Sequence, residues 1–315
     1  MRKGQNPAKF VKDVPRPERI TVALLNYIPF LSGFYAETLD VLKASLESMQ
    51  KDAGLPFDLI VFDNGSCGEV RDFLVKEKEE GRIQYLIFSE KNMGKGGAWN
   101  VMLAGAPGEI IAYTDADVLF YPNWLKESAQ LLETYPNVGM VTARPFRTPE
   151  KFLKKSIVWA KKTRGVKIEQ GHLLPYEWFY EFSTTLGFSD EELKKIYSET
   201  TDYRVTYKRL SAYLGASHWQ FTAYKSVLAQ FLPFDMDKPM GQVRQLDERM
   251  DAAGYLRLMP VERYVQNMSN TLPAALRSGS ATPRQDSSSK SFWELPFLKK
   301  PLLAIYNAIF NLYYK

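Results

Sequence analysis

The chain has 315 residues, 45% of them hydrophobic and 14% aromatic, enough for one large domain or two smaller ones with a buried core. With 24% charged residues it is not composed like a disordered polymer, and its net charge of +5 suits an anionic ligand or an anionic membrane surface without pointing to nucleic acid. The single cysteine, Cys67, excludes an intrachain disulfide and a cysteine-built zinc site, so a reducing, cytoplasmic setting is expected.

Residues 1–19 form a polar, proline-containing N-terminal extension without the apolar stretch of a signal peptide, so none is expected. Residues 20–25 (Ile-Thr-Val-Ala-Leu-Leu) predict a buried strand, and Leu39, Leu42, Leu46 and Met49 a helical stripe over 36–50. A second strand is predicted over 57–62, closed by the turn signal Asp63-Asn64-Gly65-Ser66. A charged helix over 69–80, a strand over 83–88, a short helix over 97–104 and a strand over 109–114 follow. A helix over 124–134 and a strand over 138–143 continue the alternation. The pattern predicts an α/β fold with a doubly wound, mostly parallel sheet, whose ligands gather at the carboxyl ends of the strands. Asp63-Asn64, the Asn92–Gly97 cluster and Asp115-Ala116-Asp117 all follow strands and are expected to meet at one edge.

The nucleotide-binding half is placed at 20–145 and an acceptor-side half of mixed structure at 146–276. A basic stretch from Arg144 to Lys167, across their boundary, holds Arg144, Arg147, Lys151, Lys154, Lys155, Lys161, Lys162, Arg164 and Lys167 against a single acid, Glu150. It reads either as a solvated helix face or as an electropositive wall toward phosphates or lipid headgroups. The order of elements within 176–214 is not legible. Residues 277–291 read as a flexible linker. Residues 292–315 read as an amphipathic C-terminal helix, with Leu302, Ile305, Tyr306, Ile309, Phe310, Leu312 and Tyr313 on one stripe and Lys299 and Lys300 before it. Too short to cross a bilayer, it either lies as a peripheral element on an anionic membrane surface or docks back on the domain.

Asp115 and Asp117 end an apolar run with one residue between them. Side chains alternate along a strand, so the two carboxylates share a side, and a hard divalent cation relieves their repulsion. An isolated Asp-x-Asp is more often a polar turn; the neighbours sharpen the reading here. A metal on Asp117 can bridge two oxygens of a diphosphate leaving group. Asp115 can serve the same metal or accept from a ribose hydroxyl, and Asp63 and Asn64 can read the edge of a base. Asn92, Gly94 and Lys95 allow close backbone approach and offset phosphate charge. Together, at strand ends shared with Asn26 and Ala116, these groups read as a candidate nucleotide-diphosphate site.

These motifs, in this order, resemble the family-2 glycosyltransferases of the GT-A, Rossmann-like fold. The matching pieces are residues 20–25, Leu59-Ile60-Val61-Phe62-Asp63-Asn64-Gly65-Ser66, Asn92-x-Gly94-x-Gly96-Gly97-Ala98-x-Asn100, and Thr114-Asp115-Ala116-Asp117 followed by Pro122-x-Trp124-Leu125. The resemblance covers residues 18–145 and, weakly, 213–260. It implies a UDP- or GDP-linked sugar donor, Mn²⁺ or Mg²⁺, and inversion at the anomeric carbon by direct displacement. The acceptor hydroxyl would belong to a glycan or glycolipid, as in cell-surface polysaccharide synthesis. It also implies base recognition near Asp63 and Asn64, ribose contact by Asp115 and metal ligation by Asp117, and it places Gly215-Ala216-Ser217-His218-Trp219-Gln220-Phe221 at the floor of the acceptor site, where His218 could touch the phosphates of the nucleotide-sugar donor or the acceptor.

Such a displacement needs a general base. The family's base is an Asp in a Glu-Asp pair upstream of an Arg and a Gly-Tyr; these look like Arg249 and Gly254-Tyr255. The pair then falls on Gln242-Val243, which carries no acid. Asp247 is the nearest substitute, with Asp251 on the same helical face and Asp235 or Asp237 as alternatives. The loss also admits a non-catalytic, membrane-associated scaffold. A dinucleotide-dependent oxidoreductase fits less well, because Gly94-Lys95-Gly96 follows the third strand and the small residue it requires is Trp99. A nucleotidyltransferase would carry a glycine-rich basic loop after the first strand, where Asn26-Tyr27-Ile28-Pro29-Phe30 stands.

Overall fold

The computed structural model describes residues 4–184, 188–237 and 243–277. The predicted linker and C-terminal helix, apart from Arg277, lie outside the described residues, as does Gln242. Residues Met1–Leu272 form one compact unit; a second comprises Pro273–Lys315, whose described part is a single 3-10 turn, Ala274–Leu276. Among the described residues no helix is long and apolar enough to cross a membrane.

The first half follows the predicted alternation with one added short strand: β1 (Ile20–Asn26), α1 (Thr38–Gln50), β2 (Asp58–Asp63), α2 (Gly68–Glu79), β3 (Tyr85–Phe88), α3 (Gly94–Gly105), β4 (Ile110–Asp115), the unpredicted β5 (Val118–Phe120), α4 (Trp124–Thr134) and β6 (Val138–Val141). Next come α5 (Lys154–Lys162) and β7 (Lys167–Gly171), and the stretch 176–214 that was not legible resolves into α6 (Tyr176–Thr184), α7 (Asp190–Glu199), β8 (Asp202–Tyr207) and β9 (Leu210–Leu214). The order closes with β10 (Gln220–Tyr224), α8 (Lys225–Leu228), α9 (Arg244–Ala252), β11 (Leu256–Met259) and β12 (Val265–Asn267).

One ten-stranded sheet runs β3-β2-β1-β4-β10-β6-β11-β9-β8-β7, so both predicted halves share it. The pairs β1–β2, β1–β4, β2–β3 and β6–β11 are parallel; β10 runs antiparallel between β4 and β6, and β9, β8 and β7 extend the far edge as antiparallel strands. The continuous apolar runs of β1, β2 and β4 belong to strands covered on both faces. Val22, Leu24, Leu59, Val61, Ile110 and Ala112 pack on one face with Leu42, Leu46, Leu74 and Trp124 from α1, α2 and α4. Ala23, Ile60, Phe62, Ile111 and Tyr113 pack on the other with Ala98, Trp99 and Met102 from α3 and Leu246 and Met250 from α9.

Helix α3 begins at Gly94, three residues earlier than expected, because its glycines serve packing rather than an open loop. A Cβ on Gly96 would come within 2.8 Å of the Asp235 carbonyl oxygen, and one on Gly97 within 2.8 Å of Met236 Cε. Asn100 fastens the same segment, donating to the Phe234 carbonyl at 2.8 Å and accepting from the Phe234 N–H at 2.6 Å. Trp99, the residue that conflicts with a dinucleotide-binding glycine motif, is fully buried and packs edge-on against Tyr113, Phe221 and Phe234.

Candidate active site

Parallel register brings the three polar clusters to one edge. Asn26 at the end of β1 pairs with Asp63 at the end of β2, and Leu25 with Asp115 at the end of β4. Asp63 is fully buried; it accepts from Asn26 Nδ2 at 2.9 Å and from the Ser66 N–H at 3.1 Å, and its Oδ2 lies 3.6 Å from Arg71 Nε. Asn64 donates to Asn92 Oδ1 at 3.0 Å and accepts from the Met93 N–H at 2.9 Å, and Asn92 Oδ1 also accepts from the Gly94 N–H at 2.8 Å. The next residue, Lys95, reaches Asp115. A line of contacts thus runs from Asn64 through Asn92 and the start of α3 to the end of β4.

Asp115 accepts from Lys95 Nζ, 2.7 and 2.8 Å from its two oxygens, and from the Tyr113 hydroxyl at 2.5 Å. Tyr113 and Asp115 are two apart on one strand, so they share the face on which α3 packs. Asp117 differs. It lies past the end of β4, in the turn that leads to β5, and its Oδ1 is buried yet accepts no hydrogen bond from the described residues. Burial first, and then the neighbouring Asp115 charge, push its carboxyl up to about 7 against the opposing pull of Lys95. Ala116 sits half-buried between the two acids. A buried carboxylate oxygen with no donor is costly alone and is satisfied by a cation. The small sheet of β5 and β12 adds a residue that the sequence did not signal: Asn267, opposite Val118, contacts Asp117, and the Asp117 carbonyl accepts from the Met268 N–H at 2.8 Å.

Asp117 also lines a cavity of about 1180 Å³. Phe146, Phe179, Phe182, Leu193, Ile196 and Trp219 supply much of its apolar wall; Arg147, Arg244, Arg257, Glu150, Glu199 and Asp247 add charged groups, and His218 lines it as well. Two of the remote sequence candidates, His218 and Asp247, therefore meet Asp117 in one space. His218, on the loop before β10, lies with Nδ1 2.7 Å from Asp247 Oδ2. The other carboxylate oxygen of Asp247 is 3.1 Å from Arg257 Nη2. Asp247 is buried, whereas Glu248 is exposed and pairs with Arg244, so the acidic run on α9 divides into one inward and one solvated member. Arg257, on β11, was not a sequence candidate, because a lone Arg in a short apolar strand gives no local signal. Burial lowers the proton affinity of its guanidinium, and Asp247 and Asp251 raise it.

The basic stretch divides likewise. Lys151, Lys154, Lys155, Lys161 and Lys162 are exposed, as a solvated face requires. Arg144 and Arg147 are drawn inward instead. Arg147 pairs with Asp202 in two contacts of 2.7 and 3.0 Å and stacks on Tyr197, and Arg144 lies 3.4 Å from Glu181. Trp219 stacks on Phe182 with ring centres 5.8 Å apart, forming part of the cavity wall.

A sheet that is parallel through β3, β2, β1 and β4 and covered there on both faces, with acids at its strand ends beside a cavity, is the arrangement of a GT-A-type fold. The model of glycosyl transferase family 2 matches residues 33–197, just over half of the chain, and the chain belongs to that family. An uncharacterized glycosyltransferase of Nostoc sp. is 27% identical over 100 residues, which are 32% of this chain and 31% of that protein. One of Rickettsia bellii is 33% identical over 89 residues, 28% of this chain and 13% of that protein. The matched region thus spans less than a third of either relative. Among solved structures, GalNAc-T7 with UDP, GalNAc and Mn²⁺ superposes with a TM-score of 0.50 at 10% identity, over 80% of this chain and 44% of that one, a likeness of fold.

Proposed function

We propose that the protein transfers a sugar from a nucleotide-diphosphate donor, UDP- or GDP-linked, to a hydroxyl of a glycan or glycolipid acceptor with inversion at the anomeric carbon, on the cytoplasmic side of the cell. The observation that carries this reading is the shared cavity: Asp117, one of whose carboxylate oxygens is buried without a donor among the described residues, lines it together with the Asp247–His218 pair. Among the described residues no three acidic, histidine or cysteine side chains converge into a metal cage. That fits a cation held by one or two carboxylates, with substrate phosphates and water as the remaining ligands.

Asp117, with Asp115 beside it, would hold Mn²⁺ or Mg²⁺, which when bound offsets the charge of the departing diphosphate. Lys95 keeps Asp115 in place and adds positive charge at the edge. Asn26, Asp63, Asn64, Asn92 and Gly94 hold the adjoining strand ends rigid, which suits recognition of the nucleoside by fixed groups. The apolar wall supplies flat surfaces for a sugar face or a lipid-linked acceptor. The Asp247–His218 pair takes up the proton of the attacking hydroxyl.

The test is turnover of UDP- and GDP-sugars with Mn²⁺ or Mg²⁺, read as nucleotide release, together with thermal shift. A melting temperature that rises with nucleotide and cation together, but with neither alone, supports the site. The absence of both turnover and cation-dependent nucleotide binding would leave the non-catalytic scaffold.

A further inference from the structure

His218, Asp247 and Arg257 form a row of three side chains on three different elements. A carboxylate only accepts hydrogen bonds, so the 2.7 Å contact places the proton of the neutral imidazole on Nδ1 and leaves the lone pair on Nε2. Arg257 is almost fully buried and donates to the Ala216 carbonyl as well as facing Asp247, which anchors the far end of the row. One oxygen of Asp247 meets His218, and the other pairs with Arg257 by charge at 3.1 Å while accepting no hydrogen bond from the described residues. The side chain of His218 is 27% exposed against 11% for Asp247 and 3% for Arg257, so the imidazole is the end of the row open to the cavity.

We infer that Nε2 of His218 is the general base toward the acceptor hydroxyl and that Asp247 is a positioning residue that fixes the ring and its tautomer. This rests on the transfer reading above and assigns its proton-accepting atom. In the step, the acceptor oxygen bonds to the anomeric carbon and its proton passes to Nε2. The bond from that carbon to the diphosphate oxygen breaks with its electron pair on the diphosphate. The imidazolium formed is stabilised by Asp247, and its proton returns to solvent after product leaves. The arrangement also accounts for Val243, where the resemblance expects an acid: the base moves to the loop before β10, and the carboxylate on α9 moves one helical turn onward to support it.

The experiment uses the full chain with Mn²⁺ and whichever UDP- or GDP-sugar the wild type turns over, reading kcat for nucleotide release and Kd for the nucleotide by calorimetry. His218→Ala is expected to lose about 10²-fold or more in kcat with unchanged Kd, and added imidazole to restore part of the rate. His218→Gln, which keeps a donor toward Asp247, is expected to lose as much. Asp247→Asn is expected to lower kcat with Kd unchanged and to gain nothing from imidazole, because the ring is still present but misheld. If both His218 variants melt like the wild type and keep its kcat while Asp247→Asn abolishes it, the carboxylate is the base and the inference falls. If the wild type shows neither turnover nor cation-dependent nucleotide binding, the transfer reading has failed, and this inference with it.

Discussion

Lys95 holds Asp115 through both carboxylate oxygens, at 2.7 and 2.8 Å, while Asp117 two residues on keeps a buried oxygen with no hydrogen-bond donor among the described residues. The two acids of one motif are thus unequal. Lys95 also opposes the rise in the proton affinity of Asp117. Lys95→Met should weaken Mn²⁺-dependent nucleotide binding at pH 7 by about tenfold, equivalent to roughly 1.4 kcal/mol, and the deficit should shrink at pH 8.5, where Asp117 is ionised without help. Calorimetric titration at the two pH values checks it.

Asp117→Asn should abolish cation-dependent nucleotide binding. It should also change how stability depends on pH. The folded apoprotein keeps a proton on Asp117 up to about pH 7, whereas the ordinary carboxyl value is 3.8. Between these values the folded state binds more protons than the unfolded state, so this group's contribution to stability falls as pH rises and is lowest above pH 7. The wild type should lose on the order of 2–4 kcal/mol relative to Asp117→Asn across that interval. Saturating Mn²⁺ should recover the loss at pH 7.5. Urea unfolding at pH 4.5, 6 and 7.5 measures it; parallel curves would show that Asp117 titrates like an exposed acid.

Asp63 is a different kind of acid, fully buried and engaged by Asn26, Ser66 and Arg71. Asp63→Ala strands donors and should cost about 3 kcal/mol in chemical unfolding. A small stability change combined with a complete loss of nucleotide binding would instead make Asp63 a direct contact to the base.

Gly215 has φ +135°, and a Cβ there would collide with Thr148 Oγ1 and come within 2.8 Å of Met259 Cε. Gly215→Ala should destabilise by about 2–4 kcal/mol. Because Gly215 opens the loop that carries His218, kcat should fall further than stability alone explains. Thermal melts beside rate measurements separate the two effects.

How far the sequence reached is visible in particular residues. The runs 20–25, 57–62 and 109–114 were legible as strands, because strands covered on both faces are apolar throughout, and helix α4 matched its predicted 124–134. The glycines at 94–97 were legible as a motif, but their packing against Phe234–Met236 joins residues about 140 apart and leaves no local trace. Asn267 and Arg257 were missed for the same reason: each sits in a short strand whose partner is distant in sequence.

By itself, the sequence determined the alternation of strands and helices, the acids at the strand ends and the family they resemble, because periodicity and turn chemistry are local properties. Only the tertiary structure decided that Asp115 is occupied by Lys95 while Asp117 keeps an oxygen without a donor, and that His218 rather than solvent meets Asp247. Those facts depend on which side chains burial forces together, and burial is fixed only when the whole sheet closes.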